Sequence, residues 1–141
     1  MNDRAFLDTN VLIYLYSESE PEKRETAYQV LNGHYCITSL QAFSEASNVW
    51  FKKYGWDGAK IHKYLDNIEM VFDEIVMIGR NTITTAISLK DQHGYSYYDC
   101  LMLASALESN CNTLMTEDMC DGQVINNQLK IQNPFSNLSK K

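Results

Sequence analysis

Arg4-Ala5-Phe6-Leu7-Asp8-Thr9-Asn10-Val11-Leu12-Ile13-Tyr14-Leu15 is the stretch on which the fold turns. Arg4 to Asp8 reads as a short buried strand: a compact apolar run closed by an acid. Asn10 is placed to cap the run Val11–Leu15, which reads as helical despite its branched residues. A strand thus passes almost directly into a helix, with an acid at the junction. The same unit recurs along the chain. Tyr35–Thr38 is a second strand, followed by a helix from Ser39 to Tyr54 that ends at Gly55. Glu74–Ile78 is a third strand and Thr113–Thr116 a fourth. Between them, Pro21 opens a helix that stops at Gly33. Asp57 caps a helix to Val71, Asn81 caps one ending near Gly94, and Ser96 opens one reaching Asn110. Two weak apolar pieces follow, Val124-Ile125 and Ile131. Strands alternating with helices predict a mostly parallel sheet covered on both faces, an α/β fold. Right-handed crossovers then bring the C-terminal ends of the strands to one rim, where ligands bind in open sheets.

The 141 residues suit one domain, spanning 1–141, with no repeat or linker and a loose tail at 136–141. Hydrophobic residues make up 45% and charged residues 21%, which argues against disorder. The net charge of −6 is not the footprint of a simple nucleic-acid binder. Acids concentrated in a metal site are compatible with it, but the charge itself weighs against a nucleic-acid partner rather than for one. The polar start Met1–Arg4 carries no targeting pattern, and no stretch reaches the roughly 18 apolar residues of a membrane span. The expected compartment is the cytoplasm. Cys36, Cys100, Cys111 and Cys120 form no CxxC pair and read as reduced core thiols. His34, His62 and His93 lack the short spacings of a zinc site, so any metal is expected to be a hard one held by oxygen.

Four acids stand out by position. Asp8 ends the first strand, and Asp118 lies two residues beyond the fourth. Asp99 lies in the first turn of its helix, and Glu45 lies in the helix after the second strand. Packed carboxylates repel one another. A bound Mg²⁺ or Mn²⁺ removes that penalty, and both prefer oxygen ligands. Each acid also has an ordinary structural explanation. Asp8 can cap a helix, Ser96–Asp99 fits a capping box, and Asp118 can serve a turn. On a helical wheel Leu40, Phe43, Ser47, Trp50 and Tyr54 form the buried arc, and Glu45 lies nearly opposite with Gln41, Asn48 and Lys52. Lys52, on the Glu45 side, is a candidate phosphate contact; Lys53, Lys90, Arg80 and His93 are weaker ones. Tyr14, Tyr16, Tyr97 and Tyr98 can stack on bases or pack internally. The set Leu12, Ile13, Leu15 and Tyr16 divides between core and partner surface in a way the pattern leaves open.

Four local strings narrow this. Phe6-Leu7-Asp8-Thr9-Asn10-Val11-Leu12 resembles the opening motif of the PIN-domain family. Ser39-Leu40-Gln41-Ala42-Phe43-Ser44-Glu45 resembles its second motif, Tyr97-Tyr98-Asp99-Cys100-Leu101-Met102-Leu103-Ala104-Ser105-Ala106 its third, and Leu114-Met115-Thr116-Glu117-Asp118 its fourth. Gly122–Ile125 and Asn133-Pro134-Phe135 are similar to the small bacterial VapC-type branch. The resemblance covers essentially the whole chain, with the motifs in order. It implies a three-layer α/β/α sandwich around a mostly parallel sheet. It implies Mg²⁺- or Mn²⁺-dependent cleavage of RNA by a toxin held by a small antitoxin protein, commonly as a homodimer. It assigns Asp8, Glu45, Asp99 and Asp118 to the metal site, with Asp121 or Glu117 as a possible extra acid. It gives Asn10, Thr116 and, with less support, Ser39 the task of orienting a carboxylate or phosphate. A PIN-like module that binds without cleaving is the main alternative. A haloacid-dehalogenase-like phosphatase expects a second Asp where Asn10 stands. A receiver domain expects a Lys where Thr116-Glu117-Asp118 stands.

Overall fold

The computed structural model describes residues 3–138. The elements run β1 (Arg4–Leu7), α1 (Thr9–Leu15), α2 (Pro21–Gly33), β2 (Tyr35–Ser39), α3 (Leu40–Lys52), α4 (Gly58–Val71), β3 (Glu74–Val76), α5 (Arg80–His93), α6 (Tyr97–Glu108), β4 (Thr113–Met115), β5 (Val124–Ile125) and β6 (Leu129–Gln132). The strands form one sheet in the order β3-β2-β1-β4-β6-β5. All neighbours are parallel except the β5–β6 hairpin. From β1 the chain steps outward to β2 and β3, then crosses back to β4 on the far side of β1. Right-handed crossovers therefore place α1 to α4 on one face and α5 and α6 on the other. The packing agrees: α1 rests on α2 and α3, α3 on α4, and α5 on α6. The result is the three-layer α/β/α sandwich. Its direction of winding reverses between β1 and β4, so the crevice beyond their C-terminal ends is the place for a ligand. Among the described residues no helix is long and apolar enough to cross a membrane.

The central strands are buried on both faces: Ala5, Phe6, Leu7, Leu114 and Met115 are sealed from solvent. Helix α6 is buried along its length from Cys100 to Ala106, which explains its near-continuous apolar sequence. On the opposite face Trp50 stacks on Trp56, with ring centroids 5.1 Å apart, and Tyr16 and Tyr64 pack around them. This aromatic cluster locks α3, α4 and the end of α1 together.

Several expectations need correction. Asp8, not Asn10, caps α1, because the helix begins two residues earlier than the apolar run suggests. Gly79, not Asn81, stands at the start of α5, where its N–H donates to Thr82 Oγ1 at 3.0 Å; Asn81 is exposed. The buried arc of α3 is Ala42, Phe43, Ala46 and Trp50, whereas Leu40 is 45% exposed. Phe43 and Trp50 are shared with the expected arc, and Ala42 and Ala46 take the place of Leu40. Cys36, Cys100 and Cys111 are buried thiols as expected, but Cys120 lies exposed in the loop after β4. Leu12, Ile13, Leu15 and Tyr16 are all buried within this chain, because α1 is wedged under α2 and α3. In the tail, Leu138 packs against the core, and 139–141 lie outside the described residues.

Candidate active site

The crevice between β1 and β4 is built around Asp8. Its N–H donates to Met115 O at 3.0 Å, carrying the β1–β4 ladder one residue past the strand. Its carbonyl receives Val11 N–H at 3.0 Å and so starts α1. The side chain is 4% exposed. Oδ1 accepts Thr9 N–H at 2.7 Å, and Oδ2 accepts the Thr116 hydroxyl at 2.7 Å. The capping role and the buried acid are thus the same residue. Thr116, fully buried after β4, also accepts Asp118 N–H on Oγ1 at 3.1 Å. One hydroxyl therefore ties two of the acids together. Asn10 Nδ2 donates to Asp118 Oδ2 at 2.9 Å.

The other two acids enter from neighbouring helices. Glu45, in α3, accepts the Thr9 hydroxyl at 2.9 Å and Gln41 Nε2 at 2.8 Å. Gln41 Nε2 also donates to Tyr98 O at 3.1 Å, joining α3 to the first turn of α6. Asp99 lies in that turn, where its N–H donates to the capping Ser96 Oγ at 3.1 Å. The capping explanation is met at Ser96, and the Asp99 carboxyl also feels the charges of Asp118 and Glu45.

Electrostatics set these groups apart. Burial pushes the Asp8 carboxyl up to about 7; the Thr116 and Thr9 hydrogen bonds oppose this, and the charges of Asp118 and Asp99 add to it. Burial also raises Asp99, with Asp118 and Glu45 adding to the rise against the bond from Ser96. Burial raises Asp118 too, helped by Glu117 and Glu45 and opposed by Asn10. Among the described residues none of the four acids makes a salt bridge. Nor are any three His, Cys, Asp or Glu side chains there gathered tightly enough to cage an ion as they stand. Two buried amide oxygens beside the acids, Asn10 Oδ1 and Gln41 Oε1, have no hydrogen-bond partner. Uncompensated carboxylates, hydroxyls and unpaired carbonyl oxygens form a donor set that suits a hydrated hard divalent cation such as Mg²⁺ or Mn²⁺.

The remaining sequence candidates make other contacts. Ser39 is buried and uses Oγ to accept Ala42 N–H at 3.3 Å, capping α3. Glu117 pairs with Lys23 Nζ, at 3.1 Å, and accepts the Tyr14 hydroxyl. Asp121 accepts Asn133 N–H at 2.9 Å and stabilises a turn. Lys52 is exposed at the far end of α3, roughly two turns beyond Glu45. Of the tyrosines, Tyr14 packs edge-on against Phe135 and Tyr16 lies in the aromatic cluster, while Tyr98 is exposed. Thr9, Gln41 and Lys23 escaped the sequence reading. Gln41 was detectable, since it lies one helical turn before Glu45 on the same face. Glu117, the acid that Lys23 reaches at 3.1 Å, is too distant in sequence to have been paired with it.

Comparison with known proteins bears on this geometry. Residues 5–119 match the PIN domain family, which removes the phosphatase and receiver readings. No curated protein matches the sequence. Among solved structures, the chain is similar to a toxin–antitoxin complex from Klebsiella pneumoniae, at 24% identity and a TM-score of 0.69, over 92% of this chain and 97% of that one. It is similar to VapC20 of Mycobacterium tuberculosis, described as a Sarcin-Ricin loop cleaving toxin, at 15% identity and a TM-score of 0.64, over 78% and 86% of the two chains. It is also similar to FitAcB of Neisseria gonorrhoeae, at 17% identity and a TM-score of 0.64, over 94% and 99%. The match spans most of the sequence, and it includes Asp8, Glu45, Asp99 and Asp118; the chain belongs to the PIN domain family, whose members are generally nucleases.

Proposed function

We propose that this chain is an Mg²⁺- or Mn²⁺-dependent endoribonuclease acting as the toxin of a toxin–antitoxin pair. The observation that carries the reading is the set of partly or fully buried acids at the β1–β4 crevice of a PIN domain, with no basic side chain compensating them. Asp8, Asp99 and Asp118 hold the ion, directly or through water, and Glu45 completes the site or polarises the attacking water. When bound, the ion supplies the Lewis acidity that makes water a nucleophile near neutral pH and offsets charge building on the phosphate. Thr116 and the Thr9 N–H fix both Asp8 oxygens, so this carboxylate needs no reorganisation to act. Asn10 fixes Asp118, and Thr9 and Gln41 fix Glu45, each adding order without adding charge. The substrate is RNA, and Lys52 is retained only as a remote contact for it. A small antitoxin protein as partner, and a homodimer in solution, are supported by the motif resemblance. The toxin–antitoxin character of the similar structures supports the antitoxin as well.

The test is purified protein with defined RNAs, with Mn²⁺ or Mg²⁺, with EDTA, and alongside Asp8→Asn. Cleavage that needs the ion and is lost in Asp8→Asn is expected. Cutting in EDTA, or unchanged cutting by Asp8→Asn, contradicts the reading.

A further inference from the structure

Gln41 has a hydrogen-bonding pattern that no described residue completes. Its Nε2 donates to Glu45 Oε2 and to Tyr98 O. A carboxylate and a backbone carbonyl only accept, so the amide cannot be turned over without losing both bonds. Oε1 is therefore fixed as the remaining atom, and it is buried with no donor. An unpaired buried carbonyl oxygen costs about 1–3 kcal/mol. Such a group calls for a donor that arrives from outside the chain. Asn10 repeats the arrangement: Nδ2 donates to Asp118, and Oδ1 is buried and unpaired. Two amides thus each give an N–H to a site acid and keep an acceptor free.

The missing donor must tolerate a neighbourhood of carboxylates. Water around a divalent cation does so: the ion neutralises the acids, and its waters present O–H groups outward. Mg²⁺ sheds its waters reluctantly and keeps several when bound. Building on the metal-dependent nuclease reading above, we propose that Gln41 Oε1 accepts a hydrogen bond from the water shell of the divalent ion. Gln41 is thereby an outer ligand of the metal as well as a positioning residue for Glu45. Outer partners of this kind typically change metal affinity by about 10- to 100-fold when removed. The contact to Tyr98 O gives the same side chain a hold on the turn that carries Asp99, so one residue senses the ion from both helices.

The test is direct Mn²⁺ binding, read from the electron-spin signal of free Mn²⁺, using the full chain without RNA. Wild type, Asp8→Asn, Gln41→Leu and Gln41→Glu are compared. Gln41→Leu lacks both donor and acceptor and is expected to bind Mn²⁺ about tenfold more weakly. Gln41→Glu lacks the donor but keeps the acceptor and is expected to bind at least as tightly as wild type. Gln41→Leu with wild-type affinity overturns the inference, including the case in which it binds RNA more weakly, since the free oxygen then serves a substrate hydroxyl. Gln41→Glu falling as far as Gln41→Leu also overturns it, because the N–H to Glu45 then accounts for the whole effect. Failure of wild type to bind Mn²⁺ would instead refute the underlying metal reading. Circular dichroism in EDTA checks folding, and Gln41→Met, unbranched and of similar length, replaces Gln41→Leu where that variant does not fold.

Discussion

Asp8→Asn should stabilise the metal-free protein at alkaline pH while abolishing its response to metal. The carboxyl stands near 7 in the folded chain against 3.8 for the free group, with burial as the main cause. For a group whose folded value is raised, the stability it contributes is complete below about pH 4 and is lost as pH rises through 7. The metal-free protein is therefore expected to weaken across that window. A shift of about three units, at about 1.36 kcal/mol each, bounds the loss at roughly 4 kcal/mol. Asparagine keeps the shape and can accept Thr9 N–H, but its NH₂ faces the Thr116 hydroxyl that donates to Oδ2 in wild type. Reversing that bond costs about 1 kcal/mol. A net gain of about 3 kcal/mol corresponds to a rise in melting temperature of roughly 10 °C for a chain of this size. Calorimetric melts in EDTA at pH 8 should show that rise. It should shrink as pH falls, leaving Asp8→Asn about 1 kcal/mol less stable than wild type near pH 4, where only the reversed Thr116 bond remains. Added Mn²⁺ should raise the melting temperature of wild type and leave Asp8→Asn unmoved. An Asp8→Asn protein that melts below wild type in EDTA at pH 8 would refute the reasoning, since the Asp8 charge would then be compensated within the fold itself.

Three further outcomes are expected. Lys23→Met strands the half-buried Glu117 next to Asp118; a double-mutant cycle with Glu117→Gln, read by urea unfolding, should give a coupling of about 1 kcal/mol. Trp50→Ala opens a hole under Trp56 and Tyr16 and should lower stability by about 3–5 kcal/mol, seen as an earlier urea midpoint. Expression of the chain without a partner should arrest bacterial growth, and Asp99→Asn should relieve the arrest; harmless wild-type expression would contradict the toxin reading while leaving the fold intact.

The architecture was legible because its strands are short apolar runs joined almost directly to helices, a pattern with few alternatives once crossovers are right-handed. Phe6-Leu7-Asp8 placed both a strand and the acid at its end. Local capping was less legible, because Asp8, Thr9 and Asn10 are all good cap residues and only the start of the helix decides among them. The face that α3 buries was legible at Phe43 and Trp50 but not at Leu40. Leu40 is more hydrophobic than Ala42 or Ala46, yet the two alanines are buried with Phe43 and Trp50 while Leu40 is exposed. Whether Leu12 to Tyr16 is core or partner surface depends on α2 and α3 closing over α1, which no local pattern encodes. The same holds for Glu117. Adjacent to Asp118 in sequence, it is held by Lys23 and Tyr14, which reach it from the first third of the chain. The four acids could be nominated from position and motif, but the hydroxyl of Thr116, shared by two of them, became visible only in three dimensions.

The chemistry of the cut ends tests the central claim most directly. Water made nucleophilic at a carboxylate-held ion needs no help from the ribose. An RNA with a single 2′-deoxy residue at the cleavage position should therefore still be cut in Mn²⁺, and no product should carry a 2′,3′-cyclic phosphate. Cyclic phosphate ends, or complete resistance of the 2′-deoxy substrate, would show that the 2′-hydroxyl is the nucleophile and would contradict the four-carboxylate hydrolytic site.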